Sequence, residues 1–286
     1  MELGKWRDKE IIVYGTGYVA RKFYKAMEKK GLRRQICCFV RSGHVKEGEV
    51  FEGIPVFRFS DVAIGENTFI CLAVHEAILG EIEDTVRQRT REYLWVYPYL
   101  YEMMFGEPEQ KAVEIPVKAL LEKFSGDFRL GIRLAAIGQQ RGLNDWGFDV
   151  YIRAQMIYCG QATAKERLEQ FRRLIAGWEE DGYKKDYPLS LNRSFGVIDG
   201  NHRLSMAVYA GQKTICGNIY PTDLSIEEIH GYETMQSEEL LRQNGFTVQE
   251  IQKLEEIQRR YLEVYKDVPA ADRKKEPGSQ CHCSGL

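Results

Sequence analysis

Three observations predict an α/β protein of two domains. The chain has 286 residues, where a single domain takes roughly 150. Its first hundred residues alternate short β-branched apolar runs with longer amphipathic stretches, the pattern of βαβ units and a mainly parallel sheet. Its second half carries a strand, a glycine turn and a helix start crowded with polar side chains. Apolar residues make up 44% and charged residues 29%. Lys plus Arg (40) nearly balances Asp plus Glu (42), so no uniform field draws the chain to DNA or an anionic membrane. Seven Cys, an odd number without framework spacing, fit buried thiols in a reducing compartment, and the expected location is cytoplasmic. The first ten residues lack the apolar core of a secretion signal, and no apolar run approaches the roughly 18 residues of a spanning helix.

In the first half, residues 11–14 read as a strand that Gly15, Thr16 and Gly17 break. Residues 18–30 then carry Val19, Phe23, Ala26 and Met27 at helical spacing until Gly31 stops them. Further strands are expected over 36–40, around 55–59, over 69–74 and over 93–97, with a helix over 76–89. The sum is an open sheet of about five strands in a domain over 1–106. The turn Gly15-Thr16-Gly17-Tyr18-Val19-Ala20 has the shape of a Rossmann fingerprint, with Ala20 at the third small position. The second strand ends Phe39-Val40-Arg41-Ser42, without the acidic residue that bonds a ribose hydroxyl. Arg41 would instead meet a 2′-phosphate or another anion, or serve as a solvated strand end. Gly15, Gly17 and Arg41 are therefore the candidate ligand residues of this half.

The polar, proline-bearing stretch from Glu107 through Pro108 and Lys111 marks a linker over 107–117, before a second domain over 118–222. Residues 118–124 read as a short helix, and the stretch through Gly131, Gly138, Gly142 and Gly147 is too punctuated to assign. Residues 163–182 form the clearest helix: Leu168, Phe171, Leu174, Ile175 and Trp178 share a face and Gly182 ends it. Thr163 and Glu166 read there as a capping box. After Tyr187-Pro188-Leu189 come a short strand, a turn over 192–194 and a strand over 196–198. A helical extension over 223–266 follows. Over 225–266 it bears nine carboxylates against five Lys and Arg. Asn244-Gly245-Phe246-Thr247 joins two helices in the manner of a helix-turn-helix, but an acidic segment repels phosphates, so duplex DNA is not expected. Packing or self-association into a homodimer is the role left to these helices. The polar residues 267–286 read as a disordered tail, in which the adjacent Cys281, His282 and Cys283 cannot close a zinc site alone. No metal site is expected.

The densest chemistry lies at Val197-Ile198-Asp199-Gly200-Asn201-His202-Arg203-Leu204, running from strand through a glycine turn into an amphipathic helix that ends near Gly211. Glycine lets the backbone turn without a Cβ clash. The first amides of the helix, at the positive end of its dipole, then favour an anion. His202 and Arg203 add donors, and Arg can fork onto two phosphate oxygens. A bland arrangement would have Asp199 cap the amides and Arg203 pair with a neighbour. Asn, His and Arg in succession bring few packing atoms and many donors, which favours phosphate as the ligand. His75 and His230 are read at helix starts, where a polar residue needs no catalytic role. Trp146, Tyr151 and Tyr158 either line a base or sugar pocket or belong to an aromatic core.

With its helix through Phe171 to Gly182, Tyr187-Pro188-Leu189, and Val197 through Ala207 to Gly211, the second half resembles the ParB/sulfiredoxin-like fold. That superfamily includes ParB partition proteins, sulfiredoxin and the free serine kinases, and the likeness covers roughly residues 152–220. It implies phosphate contacts from Gly200, Asn201, His202 and Arg203, with Asp199 at the metal or reacting group. Asn201 stands where sulfiredoxin carries its Cys, so sulfinic acid repair is not implied. For the catalytic glutamate of the kinases, Glu166 is the candidate, with Glu169 and Arg153 beside it. The first half, through its glycine loop and Gly53-Ile54-Pro55-Val56, resembles small Rossmann-type domains on bacterial sugar-modifying and surface-polysaccharide enzymes. These likenesses imply ATP or another nucleoside phosphate with Mg²⁺, and a kinase acting on a small metabolite or sugar. The alternative they leave is a partition-like regulator that senses CTP or ATP.

Overall fold

The computed structural model describes residue 6 and residues 8–75, 78–182 and 188–266. Both of its compact units, divided between Glu107 and Pro108, are mixed α/β. In the N-terminal unit the order is β1 (Glu10–Tyr14), α1 (Tyr18–Lys29), β2 (Ile36–Arg41), β3 (Val50–Phe51), β4 (Ile54–Arg58), β5 (Thr68–Leu72), α2 (Leu79–Arg87), β6 (Tyr93–Trp95) and α3 (Leu100–Phe105). The sheet runs β3-β4-β2-β1-β5-β6, parallel except for the β3–β4 hairpin.

Alternation along the strands explains the layers. Ile11 and Val13 face a core shared with Phe23 and Met27 of α1 and Leu100 and Met103 of α3. Ile12 and Tyr14 face a second core with Ile82 and Val86 of α2. A sheet covered on both faces needs such unbroken apolar strands. The sixth strand, beyond the five expected, is β3: Glu52 (φ 51°) and Gly53 (φ 75°) make a tight hairpin turn that two residues of strand cannot announce. Of the helix expected over 76–89, residues 76 and 77 lie outside the described residues.

The C-terminal unit contains β7 (Gln110–Pro116), α4 (Val117–Leu121), α5 (Arg129–Gln140), α6 (Gly147–Met156), α7 (Gln161–Asp181), β8 (Leu189–Leu191), β9 (Val197–Asp199), α8 (Asn201–Tyr209), β10 (Thr214–Ile219), α9 (Ile226–His230), α10 (Glu238–Gln243) and α11 (Val248–Glu263). Its sheet runs β7-β10-β8-β9, with β10 parallel to β8 and the other two pairings antiparallel.

Two expectations are corrected here, the linker and the α7 capping box, and two open readings are resolved. The stretch expected as a linker is edge strand β7, whose Val113 and Ile115 alternate with Glu114 behind a polar, proline-bearing lead. The unassigned glycine-rich stretch forms α5 and α6, because its glycines are packing positions rather than breaks. A Cβ at Gly147 would lie 2.1 Å from the Ala135 carbonyl oxygen, and one at Gly131 would lie 2.8 Å from that of Leu254. The Thr163–Glu166 capping box does not form, since α7 begins two residues earlier behind Gly160; Glu166 bonds Gln170 instead (3.4 Å). The helical extension is no appendage: Leu241, Phe246, Ile251 and Leu254 join the same core as Leu130, Phe171 and Leu204. Capping boxes do start α9 (Ser225 with Glu228) and α11 (Thr247 with Glu250). The expected disordered tail, with Cys281 to Cys283, and Tyr187 lie outside the described residues. No helix of the described residues is long and apolar enough to cross a membrane.

This packing and one of its ion pairs yield three predictions. Gly147→Ala forces α5 and α6 apart and costs about 3 kcal/mol, lowering the thermal midpoint by roughly 6–12 °C. Gly177→Ala, with nothing within 4 Å of its Cβ position, leaves the midpoint unchanged or raises it slightly. Burial pushes the Glu250 carboxyl up, but the Thr247 amide and the Arg153 guanidinium more than offset this and hold it below the usual range. A depressed pKa stabilises the fold above the unfolded value, about 4.3, and that stability is lost as pH falls through the folded value. Glu250→Gln keeps the N3 cap but loses the charge that faces Arg153, and should cost about 0.5 kcal/mol at pH 7, a deficit in unfolding free energy that closes below about pH 4.

Candidate functional site

The β8–β9 hairpin and α8 build the site. The buried Asn192 side chain shapes the hairpin: its oxygen accepts from the Gly196 amide (2.7 Å) and the Ser194 hydroxyl (3.0 Å), while its amide donates to the Leu224 carbonyl (2.9 Å). β9 then delivers Asp199 to Gly200, which adopts φ +101°. A Cβ on Gly200 would lie 2.4 Å from Leu189 Cδ2, so this backbone path is open to glycine alone. Helix α8 starts at once and is anchored by its buried Leu204, Met206, Ala207 and Val208. Its N-cap is Gly200, which brings no side chain of its own to the helix start. Asn201 Oδ1 is sealed from solvent with no hydrogen-bond partner, a buried acceptor that a ligand hydroxyl or amine would satisfy.

Of the bland arrangement, the ion pair is present. Arg203 Nη2 donates to Asp199 Oδ2 at 3.3 Å, with the two side chains 18% and 28% exposed. A contact of that length, away from full burial, is the weaker sort of ion pair.

His202 is held from behind. Its Nε2 lies 2.7 Å from the Tyr151 hydroxyl, and its ring centroid lies 4.4 Å from that of Phe171. Tyr151 is fully buried, and burial pushes its hydroxyl up to about 12, so it stays protonated at neutral pH. Tyr151 thus belongs to the aromatic core and also positions a candidate ligand-binding histidine. Its phenol in turn feels the positive charges of Arg133 on α5 and Arg167 on α7. Arg167 Nη1 donates to Gln155 Oε1 (2.9 Å) and Arg133 Nη1 to the Arg129 carbonyl (2.8 Å). Tyr158, whose hydroxyl burial pushes up to about 12, adjoins Tyr232 at 5.5 Å between ring centroids. His230 stacks near Tyr232 at 5.8 Å, and its Nε2 lies 3.1 Å from the Ile198 carbonyl oxygen. His202 thus contacts Tyr151 and Phe171, and Tyr158, Tyr232 and His230 form a second chain of contacts that ends on the β9 residue Ile198. His230 ends α9 rather than starting a helix.

Sequence reasoning did not single out Arg129, Arg133 or Arg167. The available signal was Arg133 standing between Ile132 and Leu134 in a run of core residues, masked by the glycines around it. The other candidates lie as follows. Among the described residues, Glu166 and Glu169 make their contacts within α7, with Gln170 and with Arg172 (2.9 Å), and both are exposed. Arg153 pairs with Asp149 and Glu250 and covers the Phe246 ring at 4.4 Å, fastening α6 to α11. Trp146 packs partly buried against the core, with Lys253 over its ring.

In the N-terminal unit, Gly15 (φ +119°) lies at the switch point between β1 and β5, where a Cβ would stand 2.6 Å from the Ala73 carbonyl oxygen. Gly17 precedes α1 in open space. Arg41 is engaged, donating to the His44 carbonyl (2.7 Å) and to Glu49 Oε2 (2.8 Å). His75 lies against Tyr97. Among the described residues no group of three His, Cys, Asp or Glu could hold a metal ion.

The chain matches no family model, no curated protein and no solved structure. The turn geometry makes its own prediction: Gly200→Ala costs about 2 kcal/mol through positive-φ strain and the clash with Leu189, read as a lower midpoint in chemical denaturation.

Proposed function

We propose that the C-terminal unit binds a nucleoside phosphate at the start of α8, and that the protein is a Mg-nucleotide-dependent kinase acting on a small metabolite or sugar. One observation carries this reading: a helix start whose cap is a left-handed glycine without a side chain, flanked by His202 and Arg203 on a rigid hairpin. The likeness of this segment to the ParB/sulfiredoxin-like fold supports the same chemistry. The first amides of α8 and the helix dipole suit phosphate oxygens. Arg203, released from Asp199, would fork onto them, and His202 would donate from a ring fixed by Tyr151 and Phe171. Asp199, so released, would hold Mg²⁺, which neutralises charge on the phosphates. Phosphoryl transfer asks a protein mainly for positioning and charge stabilisation, which these groups supply.

The Asp199–Arg203 ion pair favours a second reading, in which the loop carboxylate stays engaged and the unit senses ATP or CTP without transferring phosphate. For the N-terminal unit, the glycine loop at the switch point supports a nucleotide or nucleotide-sugar ligand, which would link the protein to surface polysaccharide metabolism. The free thiols Cys37, Cys38, Cys71, Cys159 and Cys216 support a reducing, cytoplasmic setting.

The test is thermal unfolding of the full chain with ATP, CTP, GTP, NAD(H) and UDP-sugars, with and without Mg²⁺. At about 100 times its dissociation constant a ligand adds roughly 2.7 kcal/mol, several degrees for a unit of this size. A Mg-nucleotide should shift wild type and leave Arg203→Ala unshifted, with the unliganded midpoint of the variant near that of wild type. An equal shift in Arg203→Ala would remove the loop from the site. Release of ADP or another nucleoside diphosphate in the presence of an acceptor separates the kinase from the sensor.

A further inference from the structure

Among the described residues, the parallel pairing of the N-terminal sheet is regular except at one place. Ile11 pairs with Ile36 but Ile12 pairs with Cys38, so Cys37 is an extra residue on β2 with no partner position on β1. On the other side, β4 joins β2 from Phe39 onward. A β-bulge of this kind is rare in parallel pairs and serves to re-aim a side chain. Here it re-aims a thiol. Ile36 and Cys38 are 5% and 4% exposed, whereas Cys37 between them is open to solvent. Adjacent side chains of a regular strand point to opposite faces. At the bulge, the two Sγ atoms instead lie 3.9 Å apart, and Cys37 Sγ also lies 3.3 Å from the Ile11 carbonyl oxygen. The Cys38 thiol and the backbone amides of both residues favour the Cys37 thiolate against burial and the Glu10 carboxylate, and hold this thiol below its usual range. The same contact and burial push the Cys38 thiol up, so it keeps its proton. Cys71 and Cys216 are buried, and Cys159 is half-buried with its thiol donating to the Gln155 carbonyl (3.2 Å). The pair stands at the start of β2, at the opposite end of the sheet from Gly15, which follows the end of β1.

We propose that Cys37 is a hydroperoxide-reactive thiol with Cys38 as its resolving partner, so that the β2 bulge is a site of reversible vicinal disulfide formation. The Cys37 sulfur attacks one peroxide oxygen: an S–O bond forms, the O–O bond breaks, the sulfur gives up two electrons and hydroxide leaves. The Cys38 sulfur then attacks the sulfenic sulfur. The S–S bond forms, the S–O bond breaks, and the Cys38 proton leaves with the hydroxyl as water. Contact at 3.9 Å makes this second step intramolecular. Consecutive Cα atoms stand about 3.8 Å apart, closer than the roughly 4.4–6.8 Å of relaxed disulfides, so the product is strained and readily reduced by a dithiol. Strained, exposed disulfides are the labile, regulatory kind, which suits a reducing compartment.

The experiment is peptide mass mapping of the full, reduced chain after brief treatment with graded hydrogen peroxide, with remaining thiols blocked by N-ethylmaleimide in denaturant. Trypsin cuts after Arg34 and Arg41, so both sulfurs leave in one peptide, residues 35–41, which contains no Met, Trp or Tyr. That peptide should lose two hydrogens and escape blocking at a peroxide dose about tenfold or more below the one that oxidises the peptides of Cys71, Cys159 and Cys216. Dithiothreitol should restore it. In Cys38→Ser the same dose should leave Cys37 as a sulfenic acid that dimedone captures, and in Cys37→Ser the Cys38 thiol should stay reduced. A peptide still fully blocked at the dose that oxidises the other cysteines overturns the proposal. So does a peptide that only gains oxygen which dithiothreitol does not remove, a Cys37 found joined to a second chain, or a Cys38 oxidised as readily in Cys37→Ser as in wild type. The wild-type map decides by itself if a variant does not fold. No nucleotide enters the assay, so its outcome is independent of the nucleotide reading above.

Discussion

The candidate site depends on one backbone constraint, the left-handed turn at Gly200 pressed against Leu189. With φ at +101° and no space for a Cβ, the chain passes from β9 into α8 within one residue. That abruptness keeps the cap position free of a side chain and sets Asn201, His202 and Arg203 around a bare helix start. A slower turn through Ser or Asp would cap the helix and consume the donors. Leu189 is itself fully buried in β8, and Asn192 locks the hairpin, so the turn is held by the sheet rather than by the loop.

Around that turn the unit places polarity where a core of this size ordinarily carries none. Tyr151 and Phe171 fix His202 in one orientation. Arg133 donates to the Arg129 carbonyl, while the neighbouring Asp127 and Arg129 answer each other.

Much of this was legible in the sequence. The parallel N-terminal strands announced themselves as apolar runs, because a sheet covered on both faces needs every residue buried. The β8–β9 hairpin and the α8 start were visible from Asn192, Gly200 and the donor cluster. Other features were hidden by physics that local pattern does not carry. Gly131 and Gly147 look like breakers in a sequence, whereas in space they are the contact points that let α5 approach α6 and α11. Strand β7 hid behind a polar, proline-bearing lead because its identity comes from pairing with β10, about a hundred residues on. Arg133 and Arg167 belong to different helices, and only the tertiary fold brings both within electrostatic reach of Tyr151.

The most direct measurement is a two-dimensional amide NMR titration of the uniformly labelled chain with Mg-ADP, following the backbone signals of Gly200, Asn201, His202 and Arg203 against those of Gly15 and Gly17. The account predicts that the four signals at the start of α8 move first and saturate together, with the indicated ligand in slow or intermediate exchange. Shifts confined to the Gly15–Gly17 loop, or none at residues 200–203 at millimolar nucleotide, would contradict it and leave the turn at Gly200 a purely structural device.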